Sequence, residues 1–212
     1  MPLTRPLTRP LIRPITRRLS LFAIAAVLAG CATTGNQSGT SADTAVGAYR
    51  DTIDLGGRLS VNYQKDGQPG SVTGNFEWSQ QPGRIDVTLV SPTGQTVATI
   101  NVTPEQATLT QANQAPRSAK DIDTLTAQAL GWSLPVSGLR DWLQGYATGA
   151  DGKRFAASPA KNEIFTADGW RLRFVSWNQK AATPTPSVIH ADRSATATTE
   201  ELSIRIAINS AS

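Results

Sequence analysis

The sequence predicts a mainly β protein of the α+β class, folded as a half-open antiparallel β-barrel that short α-helices cover as a lid. Three observations lead to this prediction. Apolar and polar residues alternate along most of the chain after residue 57, Gly, Pro and Asp turns interrupt the alternation, and one central stretch has helical spacing instead. A sheet with one apolar face must curl or be covered, so helices placed between two sets of strands are expected to cover the opening.

Residues 1–30 have the features of a bacterial export signal. Arginines and prolines recur through residues 1–18, and Leu19–Ala29 form an apolar run shorter than the roughly 20 residues that span a bilayer. The run ends in Leu28-Ala29-Gly30-Cys31, which resembles the lipobox of bacterial lipoproteins. The resemblance implies that Cys31 carries lipid and that Ala32, which is not aspartate, favours the outer membrane. The alternative for Cys31 is an ordinary buried thiol near a cleavage site.

The rest of the chain divides into a tether and one domain. Residues 31–48 are rich in Thr, Gly, Ser, Asn and Ala, which cannot bury enough apolar area to fold, so a flexible tether is expected after the lipidated cysteine. Residues 49–212 have the length and the apolar content of a single domain with one core.

The first part of the domain is expected to be an antiparallel meander. Apolar residues recur at every second position, and turns are indicated at Asp66-Gly67, Pro82-Gly83 and Ser91-Pro92-Thr93-Gly94. The expected strands contain Leu59 to Tyr63, Val72 to Trp78, Ile85 to Leu89, Ala98 to Val102 and Ala107 to Leu109.

Helical spacing begins after residue 118. The pattern Ser118-x-x-Asp121 resembles a capping box and is followed by Ile122, Leu125 and Ala129, which predicts a helix to about Gly131. A second, shorter helix is expected to carry Leu139, Trp142 and Leu143 on one side. Both helices need an apolar partner.

Strand patterns return in the last part of the chain. Glu163 to Thr166, Trp170 to Phe174 and Leu202 to Ile208 are expected strands, and Thr183-Pro184-Thr185-Pro186 is expected to be a loop. This alternation does not decide whether the interior is a packed core or an open cavity.

Charge and composition exclude several function classes. Five of the 20 Lys and Arg residues precede residue 31, which leaves 15 basic against 16 acidic residues and removes the electrostatic footprint of a nucleic-acid-binding protein. Cys31 is the sole cysteine, so neither a disulfide nor a cysteine-based metal site is expected in the domain. No metal site, cofactor or phosphate-binding loop is indicated.

No catalytic constellation is indicated either. His190 is the sole histidine, lacks a Gly-x-Ser-x-Gly partner motif and is expected to be a solvated loop residue. Asp121 and Asp123 cannot share a helix face, so a capping or solvated role is favoured over acid–base chemistry. Arg140 is expected either to contact the lid or an incoming acylated N-terminus, or to have a surface or capping role. The protein is therefore not expected to be an enzyme.

A series of short motifs resembles one known family. In chain order these are Gly57-Arg58-Leu59-Ser60-Val61, Gly74-Asn75-Phe76-Glu77-Trp78-Ser79-Gln80, Ser91-Pro92 with Gly94-Gln95-Thr96, Leu130-Gly131-Trp132, the run Leu134 to Gly145, and Asp168-Gly169-Trp170 with Trp177 beyond it. Their order and spacing are similar to those of the LolB family, the outer-membrane lipoprotein receptors of the lipoprotein localisation pathway.

The resemblance implies a hydrophobic cavity under the helical lid and a function in lipid transfer. A LolB-like domain over residues 49–212 would accept acylated lipoproteins from a LolA-like periplasmic carrier and insert them into outer-membrane lipid without nucleotide hydrolysis. The protein would be a lipid-anchored monomer of the outer membrane that faces the periplasm. The alternative is an anchored envelope scaffold or assembly protein with a filled core that binds a protein partner.

The resemblance also implies which residues do this work. The membrane-insertion loop would be Pro92, Thr93 and Gly94, although Thr93 stands where the family usually has an apolar residue. The candidates for the lipid cavity or the lid are Trp78, Val87, Leu89, Ile100, Leu125, Leu139, Trp142, Leu143, Leu172 and Phe174. Each of these could instead be an ordinary core residue, because the sequence does not fix which strand face points inward.

Overall fold

The computed structural model of this chain describes residues 43–65, 67–130, 134–178, 183–196 and 201–209. The expected export signal, Cys31, residues 31–42 of the expected tether, and Trp132 of the family motif lie outside the described residues. In chain order the elements are β1 (Ile53–Lys65), β2 (Gln68–Gln81), β3 (Arg84–Val90), β4 (Thr96–Val102), β5 (Ala107–Gln111), β6 (Arg117–Ala119), α1 (Ile122–Leu130), α2 (Val136–Trp142), β7 (Tyr146–Thr148), β8 (Arg154–Ala156), β9 (Glu163–Phe165), β10 (Arg171–Asn178), β11 (Thr185–Arg193) and β12 (Leu202–Ile208).

Ten of these strands form one antiparallel sheet within the described part of the chain. Their order is β6-β5-β4-β3-β2-β1-β12-β11-β10-β9, and β7 pairs with β8 in a separate ribbon. Val61 of β1 lies opposite Ile204 of β12, so the first and last strands are neighbours in the middle of the sheet. The sheet does not close, because β6 and β9 end its two sides. The expectation of a half-open antiparallel barrel is confirmed.

The two outer strands of this sheet are short. β6 and β9 contain three residues each. Glu163 of β9 forms an ion pair with Arg171 of β10 at 2.9 Å, and Arg117 of β6 is exposed. Both sides of the sheet therefore end in a brief strand with a charged side chain.

The apolar face of the sheet follows directly from the alternation in the sequence. Along β3, for example, Ile85, Val87 and Leu89 are buried and the residues between them are partly exposed. The same alternation places Leu59, Val61, Phe76 and Trp78 on the inner face. Helices α1 and α2 bury Ile122, Leu125, Leu139 and Trp142, so one core lies between the sheet and the helices.

Two strand glycines let the sheet curl tightly. A Cβ atom on Gly57 would lie 2.2 Å from the Ala207 carbonyl oxygen, and one on Gly74 would lie 2.6 Å from the Val90 carbonyl oxygen. Neither backbone can move away easily, so both positions require a residue without a side chain. Both glycines belong to the motifs that resemble the LolB family.

Helix α1 begins one turn later than the sequence indicated. Asp121 accepts the Asp123 backbone N–H at 3.1 Å and also the Thr124 hydroxyl. Ser118 instead lies in β6, where its hydroxyl is 2.8 Å from that of Thr108. The capping-box prediction was therefore wrong: Asp121 is the cap itself rather than the third residue of the box.

The expected loop at Thr183–Pro186 is partly a strand. β11 begins at Thr185 and contains both Pro186 and His190, which corrects the loop assigned to His190 as well. Pro186 lies opposite Trp177 where the register between β10 and β11 shifts. A proline is compatible with a strand at such an irregularity, because a ladder N–H is not needed there.

Candidate functional site

An apolar void lies beneath helix α2. It is lined by nine residues, all of them apolar: Leu59, Phe76, Trp78, Val87, Leu89, Leu134, Leu139, Leu143 and Ile206. Its volume is about 20 Å³, little more than the space of one water molecule. We call this space the inner void.

A larger pocket opens beside the inner void at the C-terminal end of α1. This mouth pocket has a volume of about 340 Å³, and it shares Leu59 and Leu89 with the inner void. Its rim includes Val72 and Val97, each of which is 43% exposed. No described residue that lines it is charged. The mouth pocket is thus an uncharged opening next to the inner void, and Leu59 and Leu89 lie between the two.

A third pocket lies on the other side of the inner void. This basal pocket has a volume of about 440 Å³, and it shares Leu143 with the inner void. Part of its lining is apolar and comes from Val46, Leu55, Leu143, Pro186 and Ile208. The rest includes the charged Arg50 and the polar residues Gln144, Asn178, Thr183, Thr185, Ser187 and Asn209. Leu143 therefore separates the inner void from the basal pocket.

The structure buries all ten of the predicted cavity and lid residues but divides them into two groups. The inner void is lined by Trp78, Val87, Leu89, Leu139 and Leu143. The other five, Ile100, Leu125, Trp142, Leu172 and Phe174, belong to the packed core and line none of the three pockets.

The interior is closed in this conformation. Pockets that hold acyl-sized ligands commonly measure about 300–1,000 Å³, well above the volume of the inner void. Leu139 and Leu143 of the lid fill the space against the sheet, and Trp142 packs edge-on against Trp170 with ring centroids 5.6 Å apart. The hydrophobic lining expected from the family resemblance is present, but an open cavity is not.

Sequence reasoning missed four residues of the inner void. Leu59, Phe76 and Ile206 were recognised as strand residues, but alternation alone did not show that their face points under the lid. Leu134 precedes α2 and had no periodic signal. The signal that could have found Leu59 and Phe76 is the strand glycine two residues before each of them, where an added Cβ atom would clash with a neighbouring backbone. Ile206 had no such signal, since only the structure pairs it with Leu59.

The predicted insertion loop is a tight, exposed turn between β3 and β4. Gly94 adopts a φ of 87° and donates its N–H to the Ser91 carbonyl at 2.9 Å. The Thr93 hydroxyl lies 2.8 Å from the Ser91 hydroxyl. Pro92, Thr93 and Gly94 are all exposed, and Ser91 also lines the mouth pocket. The loop therefore lies at the edge of the opening.

The lid is joined to α1 by a single carboxylate. Asp123 accepts the Ser137 backbone N–H at 3.1 Å and also the Ser137 hydroxyl. Burial raises the pKa of the Asp123 carboxyl above its ordinary value of 3.8, and the Ser137 hydrogen bonds oppose that rise. The pKa of Asp121 is lowered, chiefly by the hydrogen bond from the Thr124 hydroxyl. Both aspartates have the structural roles favoured from the sequence.

Residues 43–52 form a strap across the base of the lid. The Val46 N–H donates to the Ala157 carbonyl at 2.9 Å, and Val46 is buried. Gln144, just after α2, accepts the Arg50 N–H at 2.9 Å and donates to the Arg50 carbonyl at 3.0 Å. Residues 43–48 were assigned to the tether, but contacts with the domain already begin at Val46.

A chain of polar groups connects the strap, the lid and the wall of the inner void. The Tyr49 hydroxyl accepts hydrogen bonds from Gln80 Nε2 at 2.9 Å and from Arg140 Nε at 3.2 Å. Gln80 is fully buried, and its Oε1 lies 3.4 Å from Trp78 Nε1. Arg140 therefore positions the lid through Tyr49.

His190 lies on the outer face of the sheet, away from the three pockets. It is half-buried and stands opposite Arg173 on one neighbouring strand and Arg205 on the other. Burial, and then the charges of these arginines, lower the pKa of His190 below 6.5, whereas Asp192 opposes the shift. Within the described ranges, no group of residues could hold a metal ion and no helix is long and apolar enough to cross a membrane.

The model of the family described as outer membrane lipoprotein LolB matches residues 51–210 of this chain. The chain belongs to the LolB family. An outer-membrane lipoprotein LolB from Cupriavidus necator is 39% identical over 196 residues, which cover 91% of this chain and 96% of the relative. A LolB from Bordetella pertussis is 35% identical over 157 residues, which cover 73% of this chain and 75% of that one.

Solved structures similar to this LolB-family chain are distant in sequence. A LolA superfamily protein from Nitrosomonas europaea is 6% identical with a TM-score of 0.44, and the match covers 77% of this chain and 86% of that protein. A DUF1329 family protein from Desulfovibrio piger is 10% identical with a TM-score of 0.41, covering 80% and 86%.

Proposed function

We propose that this chain is an outer-membrane lipoprotein receptor that acts as a monomer. It accepts acylated lipoproteins from a LolA-like periplasmic carrier and inserts them into the outer membrane, without nucleotide hydrolysis or other enzymatic chemistry. One observation carries the proposal: the all-apolar inner void beneath a short helix lies next to an uncharged mouth pocket, and Leu59 and Leu89 line both. An interior of this kind suits acyl chains and offers nothing to a polar substrate.

Direct transfer of the acyl chain from the carrier to the receptor follows from the cost of exposing that chain to water. At about 0.8 kcal/mol per methylene, releasing one long chain into water costs on the order of 10 kcal/mol. A receptor that binds more tightly than the carrier and less tightly than the bilayer avoids this cost. It therefore needs no coupled energy source.

The closed lid is compatible with this exchange. Opening α2 about its end at Leu143 exposes Leu139 and Trp142, each at a cost of roughly 1.5–3 kcal/mol. An incoming acyl chain covers the same apolar surfaces again, so one apolar contact replaces another. The lid residues thus occupy the acyl site when cargo is absent.

The test is transfer of a radiolabelled acylated lipoprotein from its purified carrier to this chain. Leu89→Trp places a bulky ring at the boundary of the mouth pocket and the inner void. We expect transfer to fall about tenfold or more, because excluding only two methylenes already removes about 0.8 kcal/mol each. Val175→Trp is the matched control, because Val175 is 47% exposed and lines none of the three pockets. Equal transfer by the Leu89 variant and the control contradicts the proposal.

A second function remains open because the inner void is so small. An anchored envelope scaffold or assembly protein would have a filled core like this one and would bind a protein partner through its surface. Titration with a fluorescent hydrophobic probe separates the two. Saturable binding that Leu89→Trp abolishes supports the receptor, and the absence of any probe binding supports the scaffold.

The lipid anchor is part of the proposal. Residues 1–30 act as the export signal, Cys31 carries the acyl groups, and the tether holds the domain in the periplasm at the outer membrane. Mass spectrometry of the N-terminal peptide from envelope fractions tests this directly. An unmodified Cys31, or a chain that fractionates identically when Cys31→Ala is introduced, contradicts the anchor.

The side of the domain around the mouth pocket is proposed to face the bilayer. Residues 67–76, 87–104 and 106–116 carry no charged side chain, and they form neighbouring parts of β2, β3, β4 and β5 together with the loop of Pro92, Thr93 and Gly94. Each charge placed at the centre of a membrane costs about 2.5–3.5 kcal/mol on insertion scales. An uncharged surface at the opening therefore favours contact with lipid.

Matched lysine variants test this orientation. Val97→Lys puts a charge at the mouth, and Val175→Lys puts one at a similarly exposed position on β10. We expect only Val97→Lys to slow delivery from the receptor to vesicles, with acceptance from the carrier unchanged. Thr93→Leu should leave acceptance unchanged and delivery equal or faster, because leucine inserts better than a hydroxyl held by Ser91. Impaired acceptance in Thr93→Leu counts against the role of this loop.

A further inference from the structure

The three pockets lie in a row along the inner face of β1. Val72, at the rim of the mouth pocket, lies opposite Val61, whereas Leu59 lines the inner void and Leu55 lines the basal pocket. The distance from the level of Val61 to that of Leu55 is six residues, about 20 Å at 3.3 Å per residue. The described side chains thus mark out a path through the domain.

The length of this path can be compared with that of an acyl chain. The hydrocarbon core of a bilayer is about 30 Å thick, so one acyl chain extends about 15 Å. A chain of that length that starts at the rim ends between the levels of Leu59 and Leu55. Leu143 lies there, because it lines both the inner void and the basal pocket.

The backbone around Leu143 is held on both sides. The Leu143 N–H donates to the Leu139 carbonyl at 3.1 Å, and the next residue, Gln144, is fixed to both backbone groups of Arg50. The side chain of Leu143 can change rotamer, but its Cα is not free to move. A pinned residue of this kind can act as a fixed stop.

We propose that Leu143 is the end stop of the acyl path and that the basal pocket accepts the distal methylenes of chains too long for the interior. This inference rests on the proposed function, and it assigns the basal pocket to the end of a saturated acyl chain. Val46, Leu55, Pro186 and Ile208 supply the apolar lining that such an end needs. Leu143 thereby sets which acyl lengths bind best.

The experiment measures how saturated fatty acids, from lauric to arachidic acid, displace a fluorescent hydrophobic probe from the unit Thr40–Ser212. This unit contains the whole described core. For the unmodified protein, affinity is expected to rise about fourfold per added methylene until the chain reaches Leu143, and then less steeply, because a longer chain must displace the Leu143 side chain to enter the basal pocket.

Two variants change the far end of the path in opposite directions. Leu143→Ala removes the stop, so the change in slope moves to a longer acid and arachidic acid binds about tenfold or more tightly than to the unmodified protein. Ile208→Trp fills the basal pocket from a residue that does not line the inner void, so lauric acid binds normally and affinity stops rising once the chain reaches Leu143. Leu143→Ala combined with Ile208→Trp should regain this shorter limit. Ile208→Trp also keeps the test valid if Leu143→Ala does not fold.

Leu109→Ala is the control, because Leu109 is equally buried and lines none of the three pockets. It should lower stability and leave the chain-length limit where it was. The same dependence of affinity on chain length in the unmodified protein, Leu143→Ala and Ile208→Trp overturns the end stop while leaving the receptor intact. No displacement by any fatty acid in the unmodified protein overturns the proposed function and the end stop together.

Discussion

The two halves of the sheet differ in the side chains that fill their interior. On the side of β2 to β4, Phe76, Trp78, Val87 and Leu89 border the inner void, and long stretches of the strands carry no charge. On the side of β9 to β11, aromatic rings fill the interior: Phe174 lies between Phe155, at 6.3 Å, and Trp177, at 6.1 Å.

The outer faces differ in the same way. Around β9 to β12 the surface is a set of charge pairs, in which Arg173 and Ser203 both donate to Asp192 at 3.1 and 2.7 Å. Around β1 and β2 the corresponding contact is between two hydroxyls, Thr73 and Ser60, at 3.2 Å. We infer that the two halves have different roles. The half around Phe174 supplies stability, and the half around the inner void supplies an interior that a ligand can enter.

The largest expected effect is the loss of an aromatic ring from the filled half. Phe174→Ala should lower the free energy of unfolding by about 3–5 kcal/mol, because Phe174 is fully buried between two rings and the site cannot collapse. Denaturant titration measures this loss. A smaller loss of stability than that caused by Leu89→Ala contradicts the comparison.

A matched pair of leucine substitutions tests the comparison of the two halves more closely. Leu172→Ala in the filled half should cost about 4 kcal/mol, and Leu89→Ala beside the inner void about 2 kcal/mol, because a site that already borders empty space loses fewer contacts. The same variants titrated with a hydrophobic probe should differ in the opposite sense, with tighter binding only for Leu89→Ala. Equal stability losses and equal probe binding would show that the halves do not differ.

A smaller effect is expected where the lid meets α1. Asp123→Ala removes the acceptor of the Ser137 N–H and should cost about 1 kcal/mol, the usual cost of losing such a helix-end contact. Asp123→Asn keeps an acceptor and removes a buried charge, so it should be nearly neutral. Unfolding curves measure both, and increased probe binding by Asp123→Ala alone indicates a loosened lid.

Asp123 also gives a pH signature with a defined sign. Because its pKa in the folded state is raised above 3.8, the folded chain binds this proton more readily than the unfolded chain does. The contribution of Asp123 to stability therefore falls as pH rises from about 3.8 through the raised pKa. Asp123→Asn should lack this fall, and an unchanged pH profile contradicts the role assigned to the carboxylate.

The smallest effect belongs to the charged outer face. The pKa of His190 is lowered below 6.5, so the unfolded chain takes up this proton first as pH falls, and stability is lost from about 6.5 down to the lowered pKa. His190→Gln should remove that loss without changing stability at higher pH. Thermal unfolding midpoints on either side of pH 6.5 provide the measurement, and identical acid sensitivity in the two proteins rules out His190 as its source.

Alternation and turn residues were sufficient to predict most of the sheet. Val87 and Leu89 read correctly as strand residues because one face is buried and the other is not. β7 and β8 escaped notice because three residues carry too little pattern, and β11 was assigned to a loop because Pro186 masked its alternation.

The site was less accessible to sequence reasoning than the fold. The run Leu139, Trp142 and Leu143 indicated a lid. Only the structure shows that these residues have different contacts, since Leu139 and Leu143 line the inner void and Trp142 packs on Trp170. Which residues of a strand pair line an opening depends on how the sheet curls, and that is fixed by distant contacts such as Gly57 with Ala207. The strap likewise could not be read from its composition, because Val46 bonds to Ala157 and Tyr49 to Arg140, which lie about a hundred positions away.

The short outer strands affect how copies of this protein can associate when many of them lie on one membrane surface. β6 and β9 offer only three residues each of free backbone donors and acceptors, and each is flanked by a charged side chain. Neighbouring copies that meet β6 or β9 therefore find only a short template for strand pairing. Any protein that docks here must read side chains and shape, because the backbone offers too short a ladder to extend.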